Sequence, residues 1–138
     1  MFSSSSDQWA TPQNFYDNLN KEFNFNLDPC ADKHNHKCNM YYSKNDDGLS
    51  KTWSGYRVFC NPPYGRNETG KWCKKAYEEV FNGDCELVVM LLPARTDTKW
   101  FHEYCYGKAE IRFIKGRLKF GDGKNSAPFP SMLVIYRK

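Results

Sequence analysis

The segment CELVVMLLPA, residues 85–94, constrains the fold more than any other part of the sequence. Residues 87–94 carry no polar side chain, yet the run is far shorter than the roughly 20 apolar residues that span a membrane. A short, unbroken apolar run of this kind is typical of a strand whose two faces are both covered. The segment therefore predicts a central strand with helices packed on either side.

Helical and extended patterns alternate around this central strand. Helices are predicted over residues 10–24, 69–82 and 96–105, the first with Thr11 as N-cap and Pro12 as first helical residue, the third capped by Thr96 or Asp97. Strands are predicted over residues 23–32, 56–60 and 85–94, with a short one near 40–42 and a closing pair from 109–120 and 131–138. The order predicts an α/β fold, a mostly parallel sheet with an antiparallel C-terminal strand pair.

Polar residues follow three of the predicted strands. Asp28-Pro29 ends the first, the stretch Asn61–Tyr64 (NPPY) ends the second, and Pro93-Ala-Arg95 ends the third. Parallel sheets bind ligands at the carboxyl ends of their strands. We therefore expect Asp28, Asn61 and Pro93 to lie near the same edge of the sheet.

The Asn61-Pro62-Pro63-Tyr64 stretch has a composition suited to chemistry on an aromatic amine. Such an amine is a poor nucleophile because its lone pair is delocalised into the ring. Two acceptors for its N–H groups, the Asn61 side-chain oxygen and the Pro62 carbonyl, would free that lone pair, and preorganised groups of this kind accelerate reactions strongly. Tyr64 would offer a face on which a base extruded from a duplex can stack. A plain strand-terminating turn is the alternative interpretation.

Several stretches together resemble one family. DQWATPQNFYDNL, LDPCAD, DDGLSKTW, FCNPPYG, MLLPARTDTKWFH and APFPSMLVIYR, in this order, are similar to the phage DNA N-6-adenine methyltransferase (Dam-type) family. The similarity runs from about Asp7 to Arg137. The resemblance implies a reduced Rossmann-like methyltransferase fold that depends on S-adenosylmethionine (SAM), with residues 61–64 as the catalytic motif.

The resemblance also implies a set of cofactor contacts. Thr11 and Pro12 correspond to an N-terminal cofactor motif, and Asp28 would face the methionine part or the sulfonium of the cofactor. Either Asp46 or Asp47 would reach the adenosine. Trp9 would cover the cofactor or fill the edge of the core. The full predicted cofactor set is Trp9, Thr11, Pro12, Asp28, Pro29, Cys30, Ala31, Asp46, Asp47 and Asn61.

DNA is the expected partner. The chain has a formal net charge of +4 and a sequence pI of about 8.7, which favours a polyanionic partner. Arg66, Arg95, Thr96 and Lys99 are the candidate DNA contacts. No separate target-recognition domain is apparent, so loops, flexible ends or a second subunit of a homodimer would supply the remaining contacts.

The sequence departs from a full methyltransferase in its cofactor half. The loop after the first strand contains no glycine, with Asp32 where a glycine would let the backbone approach the cofactor. The interval from Pro29 to Tyr56 is too short for two further strand–helix units, since each crossover needs about a dozen residues. We expect a reduced sheet in one catalytic domain, residues 9–138, after a disordered leader, residues 1–8.

The six cysteines, at positions 30, 38, 60, 73, 85 and 105, are expected to be reduced thiols. The cluster CADKHNHKC matches no familiar zinc spacing, so no metal is expected. The sequence shows no secretory signal and no membrane span. Together these features predict a cytoplasmic protein of a bacterium or phage-infected cell.

Three other functions stay open from the sequence. An RNA adenine methyltransferase would use the same chemistry, and a glutamine-N5 methyltransferase acting on protein would use the same corner. A non-catalytic SAM- or DNA-binding remnant would account for the shortened cofactor half.

Overall fold

The computed structural model describes residues 9–121 and 123–138, so the predicted leader, residues 1–8, lies outside the described residues. The elements in chain order are helix α1 (Gln13–Phe23), a 3-10 turn (Gly48–Ser50), strand β1 (Arg57–Cys60), helix α2 (Thr69–Phe81), strand β2 (Leu87–Pro93), helix α3 (Lys99–Tyr104), strand β3 (Glu110–Phe113) and strand β4 (Ser131–Arg137).

The four strands form one mixed sheet in the order β1-β2-β4-β3. Strands β1 and β2 are parallel, with Val58 opposite Val88, whereas β4 runs antiparallel to both β2 and β3. The α/β class and the antiparallel C-terminal pair are confirmed. The parallel part is smaller than expected, because β4, buried from Ser131 to Tyr136, takes the place beside β2 and leaves the half-exposed β3 at the edge.

The first predicted strand is shorter than its pattern suggested. Asn24 ends α1 in a left-handed conformation and Pro29 follows soon after, so only a few residues can run extended. Leu27 forms a parallel bridge to Val58, and Asp28 forms another to Tyr41. Phe59 N donates to Leu27 O at 3.0 Å. Leu27 and Asp28, which we call the Leu27 segment, still continue the parallel part of the sheet on the outer side of β1.

Strand β2 is covered on both faces, as its apolar run predicted. Val88, Met90 and Leu92 belong to the core that also contains the inward residues of α2 and α3. The alternate residues Leu87, Val89 and Leu91 belong to the core on the α1 side. All seven residues of β2 are buried. The sheet is therefore sandwiched between α1 on one face and α2 with α3 on the other.

Two predicted helix caps were wrong. Helix α1 begins at Gln13, and Pro12 is its N-cap residue with an extended ψ of 134°, so Thr11 lies before the cap. Helix α3 begins at Lys99 and is capped by Thr98, whose hydroxyl oxygen accepts a hydrogen bond from Phe101 N at 3.3 Å. Thr96 and Asp97 lie in the preceding turn. The Thr11 hydroxyl is engaged elsewhere, as described below.

All six cysteines are free thiols that form no disulfide bond. None of the helices in the part of the chain that the structure describes is long and apolar enough to cross a membrane.

Gly48 stands where two loops beside β1 come closest together. A Cβ at this position would lie 2.1 Å from the carbonyl oxygen of Pro29 and 3.2 Å from the Trp72 ring. The Gly48 carbonyl in turn accepts a hydrogen bond from the Trp53 indole at 3.0 Å. The loop after the first predicted strand contains no glycine, but the loop that packs against it has one, Gly48.

We expect Gly48→Ala to destabilise the fold by roughly 1–3 kcal/mol, the usual cost of forcing extra atoms into a packed site. The obstacle is a backbone carbonyl, which moves only if one of the two loops shifts. Asn45→Ala is the matched control, because Asn45 is exposed in the same loop and its substitution adds no atom to a packed site. Urea unfolding should show a lower midpoint for Gly48→Ala only; equal midpoints would contradict the close approach.

Candidate active site

A cleft of about 530 Å³ opens where the Leu27 segment and β1 end. Its walls come from five parts of the chain: residues 9–11, residues 28–32 with 35 and 37, residues 43–44 with 47–49, residues 59 and 61–63, and residues 68 and 72. A cleft of this size lies within the range of small-molecule sites. Of the three residues predicted to lie near one edge of the sheet, Asp28 and Asn61 both line this cleft. Pro93, the last residue of β2, is not among the lining residues.

Eight of the ten predicted cofactor residues line the cleft. They are Trp9, Thr11, Asp28, Pro29, Cys30, Ala31, Asp47 and Asn61. Pro12 is not among the lining residues and serves as the N-cap of α1. Asp46 is also outside, since its carboxylate accepts hydrogen bonds from Ser43 N at 2.8 Å and Ser43 Oγ at 3.0 Å. Of the two adjacent aspartates, the geometry brings Asp47 to the cleft.

Asp28 is a buried carboxylate, only 5% exposed. Its Oδ2 accepts a hydrogen bond from Lys37 N at 2.9 Å, and its Oδ1 lies 3.4 Å from Cys30 N. Burial raises the pKa of Asp28 to about 6, although these backbone donors and the nearby Lys37 and His36 charges act in the opposite direction. Burial disfavours the ionised form of this carboxyl group, so a carboxylate at this place in a cleft is a good candidate for pairing with a cationic ligand.

The Asn61 carboxamide is held by three groups. Its Nδ2 donates to the Trp9 carbonyl and to Thr11 Oγ1, the latter at 2.9 Å. Its Oδ1 lies 2.6 Å from the Tyr64 hydroxyl, which donates to it. The Trp9 carbonyl can only accept, so this contact fixes which end of the amide carries nitrogen. Asn61 Oδ1 retains one lone pair for a further donor.

The two proline carbonyls differ in their partners. Pro63 O accepts a hydrogen bond from Thr69 Oγ1 at 3.0 Å, which ties the corner to the first residue of α2. Among the described residues, none donates to Pro62 O. Both prolines line the cleft beside Asn61. Pro62 O is thus an available acceptor next to Asn61 Oδ1.

Tyr64 is placed differently from the expected open stacking face. It is only 3% exposed, and its ring packs edge-on against Phe129 at 5.6 Å and Phe120 at 6.4 Å between centroids. Its hydroxyl also lies 2.8 Å from Leu91 O, so its single hydrogen is shared between that carbonyl and Asn61. Burial raises the pKa of Tyr64 well above its usual value, so the phenol is neutral. No sequence pattern revealed these covering rings, because they come from a loop near the C-terminus.

The four predicted DNA contacts differ in their surroundings. Arg66 is exposed and lies two positions after Tyr64. Arg95 donates to Tyr64 O at 3.1 Å, with its guanidinium 5.8 Å from the centre of the Phe129 ring. Thr96 O accepts from the His102 ring at 2.8 Å, and Lys99 is paired with Glu103 at 3.5 Å. Arg95 is therefore partly committed to holding the corner.

The cluster CADKHNHKC does not form a metal centre in this structure. His36 stacks on Tyr41 with 4.1 Å between ring centroids, and its Nδ1 contacts Cys38 O at 2.7 Å. Over residues 9–121 and 123–138, no group of three histidine, cysteine or acidic side chains is placed to hold a metal ion.

Several lining residues were missed by sequence reasoning. Lys37, Lys44, Glu68 and Trp72 all contribute to the cleft. Gly48 and Leu49 also line it, although the stretch DDGLSKTW pointed only to its aspartates. Glu68 and Trp72 carry no usable signal, because a residue at a helix start and an inward aromatic are ordinary features of a packed helix.

Comparison with known proteins agrees with the family resemblance. A DNA N-6-adenine-methyltransferase of Haemophilus phage HP1 (strain HP1c1) is 31% identical over 141 residues, covering 96% of this chain and 80% of the phage protein. A protein of the same name from Escherichia phage T1 is 33% identical over 114 residues, covering 81% of this chain. The match takes in 46% of the phage T1 protein, so the chain spans about half the length of that relative.

The sequence model of one family, DNA N-6-adenine-methyltransferase (Dam), matches residues 1–138. The match includes every segment on which the resemblance was based. The chain therefore belongs to the DNA N-6-adenine-methyltransferase (Dam) family.

Proposed function

We propose that this chain transfers the methyl group of SAM to the N6 amine of adenine in DNA. One observation carries the proposal. Asn61 and Pro62, which follow β1 and each offer an acceptor oxygen, line the same cleft as the buried Asp28. Family membership supplies the substrate class, since the two phage relatives are named for adenine N6.

The two acceptors suit the demands of an aromatic amine. An N6 amine has two N–H bonds, and Asn61 Oδ1 and Pro62 O would each accept one of them. Withdrawing both hydrogens from the ring plane makes the nitrogen more pyramidal and its lone pair more available. Because Pro62 is rigid and the Asn61 amide is held by three partners, little reorganisation is needed at the moment of reaction.

The lining of the cleft fits SAM. Four acidic side chains (Asp28, Asp32, Asp47, Glu68) and two basic ones (Lys37, Lys44) line it. SAM carries a sulfonium and an ammonium group, and when bound it supplies a methyl group activated by the positively charged sulfur. We propose that Asp28 and Thr11 hold the methionine part and that Asp47 reaches the adenosine, with Trp9 and the segment 29–31 forming the adjoining walls.

DNA would approach on the side of the corner where Tyr64 and Arg95 lie. The Tyr64 ring is buried and packs against Phe120 and Phe129, so stacking of an extruded adenine on Tyr64 requires a rearrangement here. Arg66, Arg95, Thr96 and Lys99 are our candidates for the phosphate contacts. Because Arg95 already binds Tyr64 O, we propose that it links DNA contact to the corner.

We propose that the sheet is a reduced Rossmann-like one within a single catalytic domain, residues 9–138. The support is the unit β1–α2–β2, two parallel strands joined through a helix, with the cleft at the carboxyl end of β1. Beside it the Leu27 segment provides only bridges. RNA is the alternative substrate, and a homodimer is the alternative source of further DNA contacts.

We expect Asn61→Ala to lower the turnover number by a factor of about 10² to 10³, corresponding to about 2.7–4 kcal/mol, as for loss of one preorganised oxyanion-hole donor. The substitution removes one of the two acceptors for the amine. The measurement is methyl transfer from labelled SAM to DNA, with N6-methyladenine identified by mass spectrometry of the digested nucleosides.

Asn14→Ala is the matched control for this substitution, since Asn14 is exposed on α1 and lies outside the cleft lining. It should methylate like the wild type. RNA and protein substrates are assayed in parallel, so product on RNA or on glutamine would redirect the substrate assignment. If Asn61→Ala methylates as fast as the wild type, residues 61–64 form only a strand-ending turn and the proposed role of Asn61 is wrong.

The affinity for SAM should rise with pH as Asp28 ionises. The pKa of Asp28 is about 6 in the free protein, and a cationic ligand binds the carboxylate form. At one pH unit below that value only about a tenth of the sites are ionised, so the apparent Kd should be about tenfold higher at pH 5 than at pH 7. Calorimetric titrations over this range stay below the ordinary pKa of an α-amino group, about 7.7–8.0.

Asp28→Asn is the control that isolates this carboxylate. It should bind SAM weakly with little pH dependence, because the remaining amide does not titrate. An Asp28→Asn protein whose SAM affinity follows pH as the wild type does would show that another group is responsible.

Asp28 should also affect the pH dependence of unfolding. Burial raises its pKa above that in the unfolded chain, so its contribution to the free energy of unfolding falls as pH rises from about 4 to 6.

A further inference from the structure

Thr11 makes a contact that cofactor binding does not require. Its hydroxyl oxygen accepts a hydrogen bond from Asn61 Nδ2 at 2.9 Å, fifty positions along the chain. Thr11 is 6% exposed and lies before the cap of α1, so its side chain is free of any helix-capping role. The contact joins the N-terminal segment to the end of β1.

We propose that Thr11 is a positioning residue for the reaction, acting by fixing the orientation of the Asn61 carboxamide. This inference rests on the proposed function, in which Asn61 Oδ1 is an acceptor for the target amine. It assigns Thr11 a part in the chemical step that is separate from any contact with the cofactor.

The argument begins with the two ends of the amide. Asn61 Nδ2 has two hydrogens, and the Trp9 carbonyl and Thr11 Oγ1 take one each. With both donors occupied, a substrate can meet only the oxygen end. Rotation of the amide by 180° would bring Oδ1 against the Trp9 carbonyl, where two oxygens repel each other. The N-terminal segment thus selects the rotamer in which Asn61 accepts hydrogen bonds.

The oxygen end of the Asn61 amide is held by a hydrogen-bond donor. The Tyr64 hydroxyl donates to Asn61 Oδ1 at 2.6 Å and lies 2.8 Å from Leu91 O. It occupies one of the two lone pairs and leaves the other for the amine. Without Thr11, one Nδ2 hydrogen would lack its partner in a half-buried site and the amide would be held at fewer points. An acceptor that is less well oriented stabilises developing charge less well.

The test compares Thr11→Val, which keeps the shape but removes the acceptor, with Thr11→Ser, which keeps the hydroxyl. We expect Thr11→Val to lower kcat at saturating SAM by about 3- to 10-fold, the worth of one neutral hydrogen bond. Thr11→Ser should retain most of the rate. The Kd for S-adenosylhomocysteine, measured by calorimetry, reports separately on the cofactor cleft.

A loss of cofactor affinity with an unchanged kcat in Thr11→Val would overturn the inference, since Thr11 would then be a cofactor contact only. An equal loss of kcat in Thr11→Ser would overturn it too, because the hydroxyl would not be the relevant group. Failure of the proposed function looks different: the wild type itself would transfer no methyl group to adenine.

Nuclear magnetic resonance tests the positioning without any turnover. The side-chain NH₂ signals of Asn61 are assigned by their disappearance in Asn61→Asp. In Thr11→Val one of these protons should shift upfield and exchange faster with water, whereas Thr11→Ser should resemble the wild type. Unchanged Asn61 signals in a folded Thr11→Val protein would contradict the inference even if the chain proved inactive. Thermal unfolding of both variants shows that each is folded.

Discussion

The site depends on one alignment, the parallel pairing that runs from Leu27 through β1 to β2. Leu27 bridges Val58 and Val58 lies opposite Val88, so three segments point the same way. Their carboxyl ends then meet at one edge of the sheet, where the backbone groups no longer needed for pairing are free for ligands. Asp28 and Asn61 follow these ends directly. Reversing any of the three segments would carry its polar residues to the opposite edge and dismantle the cleft.

The corner after β1 shows how a small chain can hold a flexible side chain still. Asn61 would rotate freely at an exposed turn, but here it is bonded to the N-terminal segment on one side and to Tyr64 on the other. Tyr64 is in turn fixed by the end of β2 and by the rings of Phe120 and Phe129. Besides the neighbouring Tyr64, three distant parts of the sequence thus contribute to the orientation of one amide. The rigidity is paid for by contacts that an entering base must rearrange.

Charge is distributed unevenly over the molecule. The chain as a whole is basic, with a formal net charge of +4, whereas the cleft is lined by four acidic and two basic side chains. A basic surface favours a polyanion, and an acidic cleft favours a small cation. Such a division of charge fits the proposed pair of ligands, DNA and SAM. Asp28 is a buried member of the acidic set, and burial raises its pKa to about 6.

The sequence by itself determined the α/β class, the doubly covered β2 and the edge at which the site lies, because apolar runs and proline corners act locally. It also placed Asp28 and Asn61 together, since parallel strands leave their ends side by side. Only the tertiary structure decided that β4 enters beside β2, that Thr11 bonds Asn61 instead of capping α1, and that Tyr64 is enclosed by Phe120 and Phe129. Local sequence patterns do not predict these features, because each depends on which distant segment packs or pairs at a given place in the fold. The choice of Asp47 over Asp46 has the same origin. The two residues have identical side chains at adjacent positions, and only the turn in which Asp46 binds Ser43 distinguishes them.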